Sequence, residues 1–586
     1  MRITARTRAT IACFGLAACF TLFSYRLVRL HVCQHDEYSE LAAEKHVNKQ
    51  VIYARRGAIQ DVNQEMLADN VPIQTVLADG KLMADTHVDP AAMAAILAEP
   101  LEMEVEELIQ KLSTERRYVV LKKQVSQACV DVINKRLTVR SMRGLFFEPD
   151  STRIYPNGKM LCHVVGFMNS EHKGVQGIEN VMDDYLRGHD GFRYIERDRT
   201  GKELVPYRGQ ERASRDGCNV RLTVDLAIQN IVENELDAAC AQFKPKMASV
   251  IMMRPGTGEI LAMANRPNFD LNEVGGGKPE QMKNCAILNI VEPGSTFKIV
   301  TAAAALNEKV VSPTSLVFCE NGKFQFCGKT LHDHHPYGDM TVNDILMKSS
   351  NIGAAKLAMK LGDQRFYEYI RRFGFGERTG INLPGEIGGI LHPPHKWAKI
   401  DISRIAMGQS VGVTPLQAVA AMSVIANGGH LMMPQIIHEV VDDQGASIAS
   451  YPPVEIRRVI SEDTARLVRD ALKDVVSEHG TALLAKVAGF EVAGKTGTAQ
   501  KIDPKGGYMQ GKYIVSFLGF MPAANPAFVC LVLVDDAVTT SEQNYGGVVA
   551  APIFSRIAEK TARYLNLQPQ IEVPLNKMIL TQTRHD

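Results

Sequence analysis

The 586-residue chain has almost no excess charge: 66 Lys and Arg stand against 65 Asp and Glu, a formal balance of +1. There is no basic tract either, so nothing recommends nucleic acid as a partner. The chain shows no repeat at solenoid periods and no low-complexity segment, which sets aside repeat arrays. Cysteine is present without a framework. Eleven is an odd number, and Cys13 and Cys19 fall inside an apolar run, so no dense disulfide scaffold is implied. What remains is 45% hydrophobic and 22% charged residues, a globular composition. The length suits two to four domains at about 150 residues each.

One long uncharged run stands at the N-terminus. "MRITARTR" carries Arg2, Arg6 and Arg8, and "ATIACFGLAACFTLFSY" continues without a charge from Ala9 to Tyr25. That length is at the lower limit for crossing a bilayer, with Arg26 and Arg29 placed to snorkel at the far end. The run is longer than a signal-peptide core and no A-x-A site follows it. The expectation is an uncleaved anchor: residues 1–8 cytoplasmic, 9–30 transmembrane, and the bulk of the chain outside the cytoplasmic (inner) membrane. "LAAC", Leu16 to Cys19, offers a competing lipoprotein-type cleavage site, but apolar "FTLF" follows where a polar linker belongs.

Residues 31–214 alternate short polar strands, charged turns and helices such as "PAAMAAILAEPLEMEVEELIQKL", and nothing there looks nucleophilic. At "LTVDLAIQNIVENELDAAC" an amphipathic helix opens a second domain, 215–565. In it "MASVIMM" and "EILAMAN" flank the turn "RPGTG" as a hairpin, "VTPLQAVAAMSVIANGG" reads as a helix, and "YIVSFLGFMP" and "FVCLVLVDD" read as late strands. The layout is α+β. A helix near "PIFSRIAEKTARYL" and a polar tail, 566–586, end the chain. Cys319 and Cys327 bracket "ENGKFQF", where Asn321-Gly322 signals a tight turn, so a cross-hairpin disulfide is one reading. With His332, His334 and His335 close behind, zinc is another. The spacing matches no standard zinc module, and no metal or cofactor is assigned.

The chemistry collects in three short motifs. In "EPGSTFK", Pro293 and Gly294 precede Ser295, and the Ala-rich run behind Lys298 should start a helix near the serine. Residues three apart share a helix face, which brings the Lys298 nitrogen to the Ser295 hydroxyl as a base. "KSSNIG" supplies Ser349, whose hydroxyl can pass a proton to a leaving nitrogen, and Asn351, whose amide can orient Lys298 and a substrate backbone. "VAGKTGTAQ" reads as a strand. There Lys495 adds positive field, Thr496 and Thr498 share the face that can bind a terminal carboxylate, and Gly497 lets a substrate backbone approach. For Lys298 to act as a base it must be neutral, and burial beside Lys495 works in that direction.

The ordered set S-x-x-K, S-x-N, K-T-G resembles that of the penicillin-binding proteins and β-lactamases. "RRGAIQDVNQEMLA" is similar to an early element of the class B penicillin-binding proteins, with Arg56, Gly57, Ile59, Asp61 and Asn63 in place and Gln64 where glycine is usual. "RIYPNG", "HVVGF", "GVQGIE", "LRGHDG", "FGFG", "TGINLPGE", "GQSVGVTPLQ" and "YGGVVAAPIF" resemble the remaining family motifs in order. The resemblance implies a signal-anchor helix, an elongated pedestal of dimerisation type over 31–214, and a transpeptidase domain with an antiparallel sheet flanked by helices. "EPGSTFK" with "SSN" looks most like the division-specific D,D-transpeptidase.

On that resemblance Ser295 would attack the D-Ala-D-Ala bond of peptidoglycan stem peptides, and β-lactams would acylate the same serine. The backbone N–H groups of Ser295 and Thr498 would form the oxyanion site. Residues 31–214 carry no glycosyltransferase signature, so glycan strands would come from a separate enzyme working with other division proteins. Two alternatives stand beside this: a class D type β-lactamase or β-lactam sensor, against which Asn351 and the long pedestal argue, and a catalytically silent division scaffold, against which the complete motif set argues.

Overall fold

The computed structural model describes residues 5–36, 38, 47–140, 142–169, 171–196, 211–503, 506–539 and 544–571. The chain divides into two compact units, Met1–Arg55 with Gly188–Gly217, and Arg56–Arg187 with Cys218–Asp586.

In the first unit a helix spans Ala5–Val28 and runs into a π-helical turn, Arg29–Cys33. The stretch Ala9–Cys33 is exposed along its apolar run, and it is long and apolar enough to cross a membrane. The same unit holds a three-stranded antiparallel sheet of Val47–Ile52, Gly191–Glu196 and Glu211–Arg212.

The second unit is built round a five-stranded antiparallel sheet: β1 (Met247–Met253), β2 (Ile260–Arg266), β3 (Ala493–Ile502), β4 (Tyr508–Met521) and β5 (Phe528–Asp535). Its order is β2-β1-β5-β4-β3, so the Lys-Thr-Gly strand is an edge. Strands β1, β2 and β5 are buried on both faces, and they read as near-continuous apolar runs because helices cover each side. One cover is α1 (Leu226–Phe243), capped by the Asp225 carboxylate on the N–H groups of Ala227 and Ile228. The others are α4 (Pro415–Ala426), α5 (Glu462–Asp474) and α6 (Gly546–Tyr564), while α2 (Lys298–Asn307) packs on α3 (Asn351–Leu361) and on α5. Ala-rich α2 is buried through nine of its ten residues. It is the central rod of the core, which explains a sequence too apolar for a surface helix.

Residues 56–187 add a second sheet and a second, smaller core. Met66–Ala78 pairs with both Val119–Ser126 and Leu145–Ile154, and helices Pro90–Leu101, Val105–Leu112 and Gln127–Arg140 pack Met93, Leu97, Leu108 and Ile133 against them. This sheet also takes Asn219–Leu222 and, from far along the chain, Ile437–Val441. The early Arg-Gly element is a structural junction. Asp61 accepts the N–H groups of Asn63, Glu65 and Leu226, which ties the element to the start of α1. Gln64 adopts φ +70°, the conformation glycine would supply, so the turn forms without it.

Candidate active site

Ser295 and Lys298 meet as their spacing requires, by a slightly different route. Gly294–Phe297 form a 3-10 turn, with Gly294 at φ +55° setting the entry, and the α-helix begins only at Lys298. Lys298 Nζ lies 3.1 Å from Ser295 Oγ. The turn is pressed onto edge strand β3. A Cβ on Gly497 would stand 2.3 Å from Ser516 Oγ and 3.2 Å from the Pro293 carbonyl oxygen, so a larger residue would push strand and turn apart.

The Lys298 side chain is 1% exposed, and its nitrogen also reaches the Ser349 carbonyl at 2.6 Å, Asn351 Oδ1 at 2.8 Å and Ser349 Oγ at 3.2 Å. Carbonyl and amide oxygens only accept. They therefore engage both N–H bonds of a neutral amine and leave its lone pair for the Ser295 hydroxyl. The protonation state agrees: burial pushes Lys298 down to about 7, against a smaller upward pull from Asp333. Lys495 is fully buried and lowered well below its ordinary value, by burial first and then by Lys298. Its nitrogen donates to Ser349 Oγ at 2.8 Å, so Ser349 bridges the two lysines.

Ser349 is itself held in the left-handed region, φ +61°, at a cost of roughly 1–2 kcal/mol. Non-glycine residues persist there only where their surroundings hold them. The next residue, Ser350, caps α3 through its hydroxyl on the Gly353 N–H. Asn351 is fixed in orientation because its Nδ2 donates to the His332 carbonyl at 2.9 Å, which turns Oδ1 to Lys298. On β3, Thr496 Oγ1 sits 2.9 Å from Thr481 Oγ1, and Thr498 Oγ1 accepts the Gly546 N–H at 3.3 Å. The structure thus brings Ser295, Lys298, Ser349, Asn351 and Lys495 into one hydrogen-bonded cluster, beside the strand that carries Thr496, Gly497 and Thr498.

Sequence reasoning missed Asp333. Its carboxylate accepts from Ser350 Oγ at 2.6 Å and from the backbone N–H groups of Asn351 and Ile352, and so anchors the second motif. The sequence points to His332, His334 and His335 as candidate zinc ligands there; the signal available for Asp333 is a helix start with N–H groups needing an acceptor. Among the described residues no group of three or more metal-ligating side chains comes together. The hairpin register also differs from expectation. Its strands are Lys323–Phe326 and Lys329–His332, and they are joined at Cys327-Gly328, both at positive φ, while Asn321-Gly322 forms a separate tight turn ahead of the hairpin. Cys327 is therefore at an exposed tip while Cys319 is buried against Ser350, and both are free thiols.

A lysine-activated serine beneath an edge strand, on a helical core with an antiparallel sheet, defines a class of serine acyltransferases. The model of the penicillin binding protein transpeptidase domain matches residues 248–559, and that of the penicillin-binding protein dimerisation domain matches residues 51–222. The chain belongs to the class B penicillin-binding proteins. It is 34% identical to stage V sporulation protein D of Bacillus subtilis, over 97% of this chain and 87% of that one. It is 30% identical to the peptidoglycan D,D-transpeptidase FtsI of Escherichia coli, over 95% and 91%. Among solved structures, penicillin binding protein 3 of Mycobacterium tuberculosis in complex with aztreonam superposes with a TM-score of 0.69 at 28% identity, covering 90% of this chain and all of that one.

Proposed function

We propose that this protein is a serine D,D-transpeptidase that cross-links peptidoglycan stem peptides during septal wall synthesis. The observation that carries it is the buried Lys298 nitrogen, with its lone pair left for Ser295. The Ser295 hydroxyl gives its proton to Lys298 as the oxygen attacks the carbonyl carbon of the penultimate D-alanine. The Ser295 and Thr498 N–H groups hold the oxyanion. The proton then passes through the Ser349 hydroxyl to the leaving nitrogen, the C–N bond breaks, and D-alanine departs. An amine of a neighbouring stem attacks the resulting ester, loses its proton along the same path, and returns Ser295 to its hydroxyl form. Asn351 and β3 hold the donor peptide, with Lys495, Thr496 and Thr498 at its terminal carboxylate and Gly497 admitting its backbone.

On this reading the helix within residues 9–30 is a single-pass anchor in the cytoplasmic membrane, residues 31–214 form the pedestal, and residues 215–565 form the catalytic domain outside. Glycan strands come from a separate glycosyltransferase. The likeness to the peptidoglycan D,D-transpeptidase FtsI supports the activity, and the long apolar N-terminal helix supports the single-pass anchor. The test is fluorescent penicillin labelling, followed by peptide mass spectrometry. A stoichiometric, slowly released adduct on Ser295 is expected; rapid penicillin turnover, or an adduct on Ser349 or Ser350, would overturn the proposal in favour of another chemistry.

A further inference from the structure

The imidazole of His334 takes no part in the steps above, yet it links the two walls of the cleft. On one side it follows Asp333, which anchors Ser350 and Asn351. On the other it meets Tyr545 edge to face, with ring centroids 6.1 Å apart and planes at 87°. Tyr545 immediately precedes α6, and the N–H of the next residue, Gly546, donates to Thr498 Oγ1. One ring is thus tied to the Ser-Ser-Asn wall and the other to the Lys-Thr-Gly strand, so their contact spans the cleft between them. Both residues are exposed and open to a ligand.

The position says which ligand. In acyl transfer the incoming amine takes the place the leaving amine vacated, because deacylation retraces acylation. The leaving D-alanine lies beyond the scissile bond, at Lys495 and Thr498, so the acceptor must enter past the groups that border those residues. We infer that His334, paired with Tyr545 across the cleft, is a positioning residue for the acyl acceptor, an amine carried on an aliphatic or D-amino acid side chain. The inference rests on the transpeptidase reading.

The electrostatics suit that role. Partial desolvation at the cleft wall lowers His334 first, and any positive charge on Lys298, His335 or Lys495 adds to it against the opposing Asp333 carboxylate; the Tyr545 ring stands across from it at 87°. At neutral pH the acceptor therefore meets an uncharged imidazole beside the Tyr545 ring, a surface on which an ammonium can rest. Protonating His334 would put a cation in the acceptor's path.

The experiment compares full-length wild type with His334→Ala and His334→Phe, using a stem-peptide thioester donor and a D-amino acid acceptor between about pH 5.5 and 8. Two readouts are followed: the acceptor KM, and the rate of penicillin acylation. His334→Ala should raise the acceptor KM about three- to tenfold, the scale of one lost aromatic contact, and should move acylation by less. His334→Phe keeps a ring without a titrating proton. It should restore the KM near pH 8 and flatten the rise in KM that the wild type shows in acid. Equal losses in acylation and acceptor KM for His334→Ala, or an acid rise in His334→Phe undiminished from that of the wild type, would overturn the inference. Absent penicillin labelling of the wild type would remove the transpeptidase reading as well, whereas normal labelling with the wrong KM pattern removes this inference alone.

Discussion

Two clusters of buried charge lie in the second unit, and they are built on opposite plans. In the first, Arg56 and Arg153 each place Nε 2.7 Å from an oxygen of Glu179, and Arg56 Nη1 sits 2.7 Å from Asp183. The Glu179 side chain is fully buried, and the cationic side chains are 7% and 3% exposed. Opposite charges meet, and further guanidinium protons, on Arg56 Nη2 and Arg153 Nη1, go to the carbonyls of Glu179 and Gly57. In the second, Lys298 and Lys495 are buried with the same sign of charge, and Asp333, the carboxylate nearest in effect, is engaged by Ser350 and Asn351. A balanced cluster can keep its protons and hold elements together. An unbalanced one is relieved by giving protons up, and a lysine that has done so is a base.

Substitution should break that contrast most sharply at the nucleophile. Ser295→Ala should abolish penicillin labelling, and Lys298→Ala should slow acylation by ~10⁴-fold or more, with no further loss in the double variant because the two act as a unit. Far-UV circular dichroism would show the folded state retained in both. A mild effect of Lys298→Ala would make that lysine structural and erase the difference between the clusters. In the balanced cluster the loss should appear in stability instead. Glu179→Gln leaves buried guanidinium charge without its carboxylate, and should cost about 3–5 kcal/mol in a denaturant titration. A smaller loss would mean that solvent reaches the arginines.

The pH dependence sharpens the comparison further. With Lys298 at about 7, acylation should fall about tenfold per pH unit below that value as the base is protonated. Stability carries the same sign. Above about pH 7 the unfolded chain holds a lysine proton that the folded chain has shed, so folding becomes more favourable as pH rises toward the ordinary lysine value. The slope is at most about 1.4 kcal/mol per unit for Lys298, and buried Lys495 adds in the same direction. Thermal melts of Lys298→Met across that range should show a shallower slope; an unchanged one would place the proton elsewhere.

The lysines and serines of the cleft were legible because their chemistry demands fixed local spacings: Lys298 three positions after Ser295, and Asn351 two positions after Ser349. The hairpin of β1 and β2 and the helices α1, α4 and α6 were legible for the same reason: the hairpin from its turn, α1 and α4 from their caps at Asp225 and Thr414, and α6 from its apolar face. Non-local partners left no such mark. Nothing near Ile437 announces its pairing with Leu222, and Asp333 sits eighteen positions from Asn351 with no motif joining them. Asn321-Gly322 does make the tight turn its dipeptide signals, but the turn that closes the hairpin is Cys327-Gly328, which carried no comparable mark.

Asp333 offers the smallest and most discriminating perturbation, because it touches the unbalanced cluster without belonging to it. Its carboxylate does two separable things: it accepts three hydrogen bonds at the start of α3, and it pulls the Lys298 pKa upward against the effect of burial. Asp333→Asn keeps one oxygen for the backbone N–H groups, and places an amide N–H opposite Ser350 Oγ. That hydroxyl can accept it, yet its own proton is then left with little beyond the weak acceptor Cys319 Sγ. The cost should be about 1 kcal/mol, a few-fold loss in the plateau rate of acylation as Asn351 loosens. Removing the negative charge should also let burial act on Lys298 unopposed, so the acid limb of the acylation profile should move below the wild-type midpoint. Plateau and midpoint together decide the matter. A lower plateau with an unmoved midpoint would make Asp333 an anchor alone, and a midpoint displaced upward would contradict the electrostatic account of the cleft.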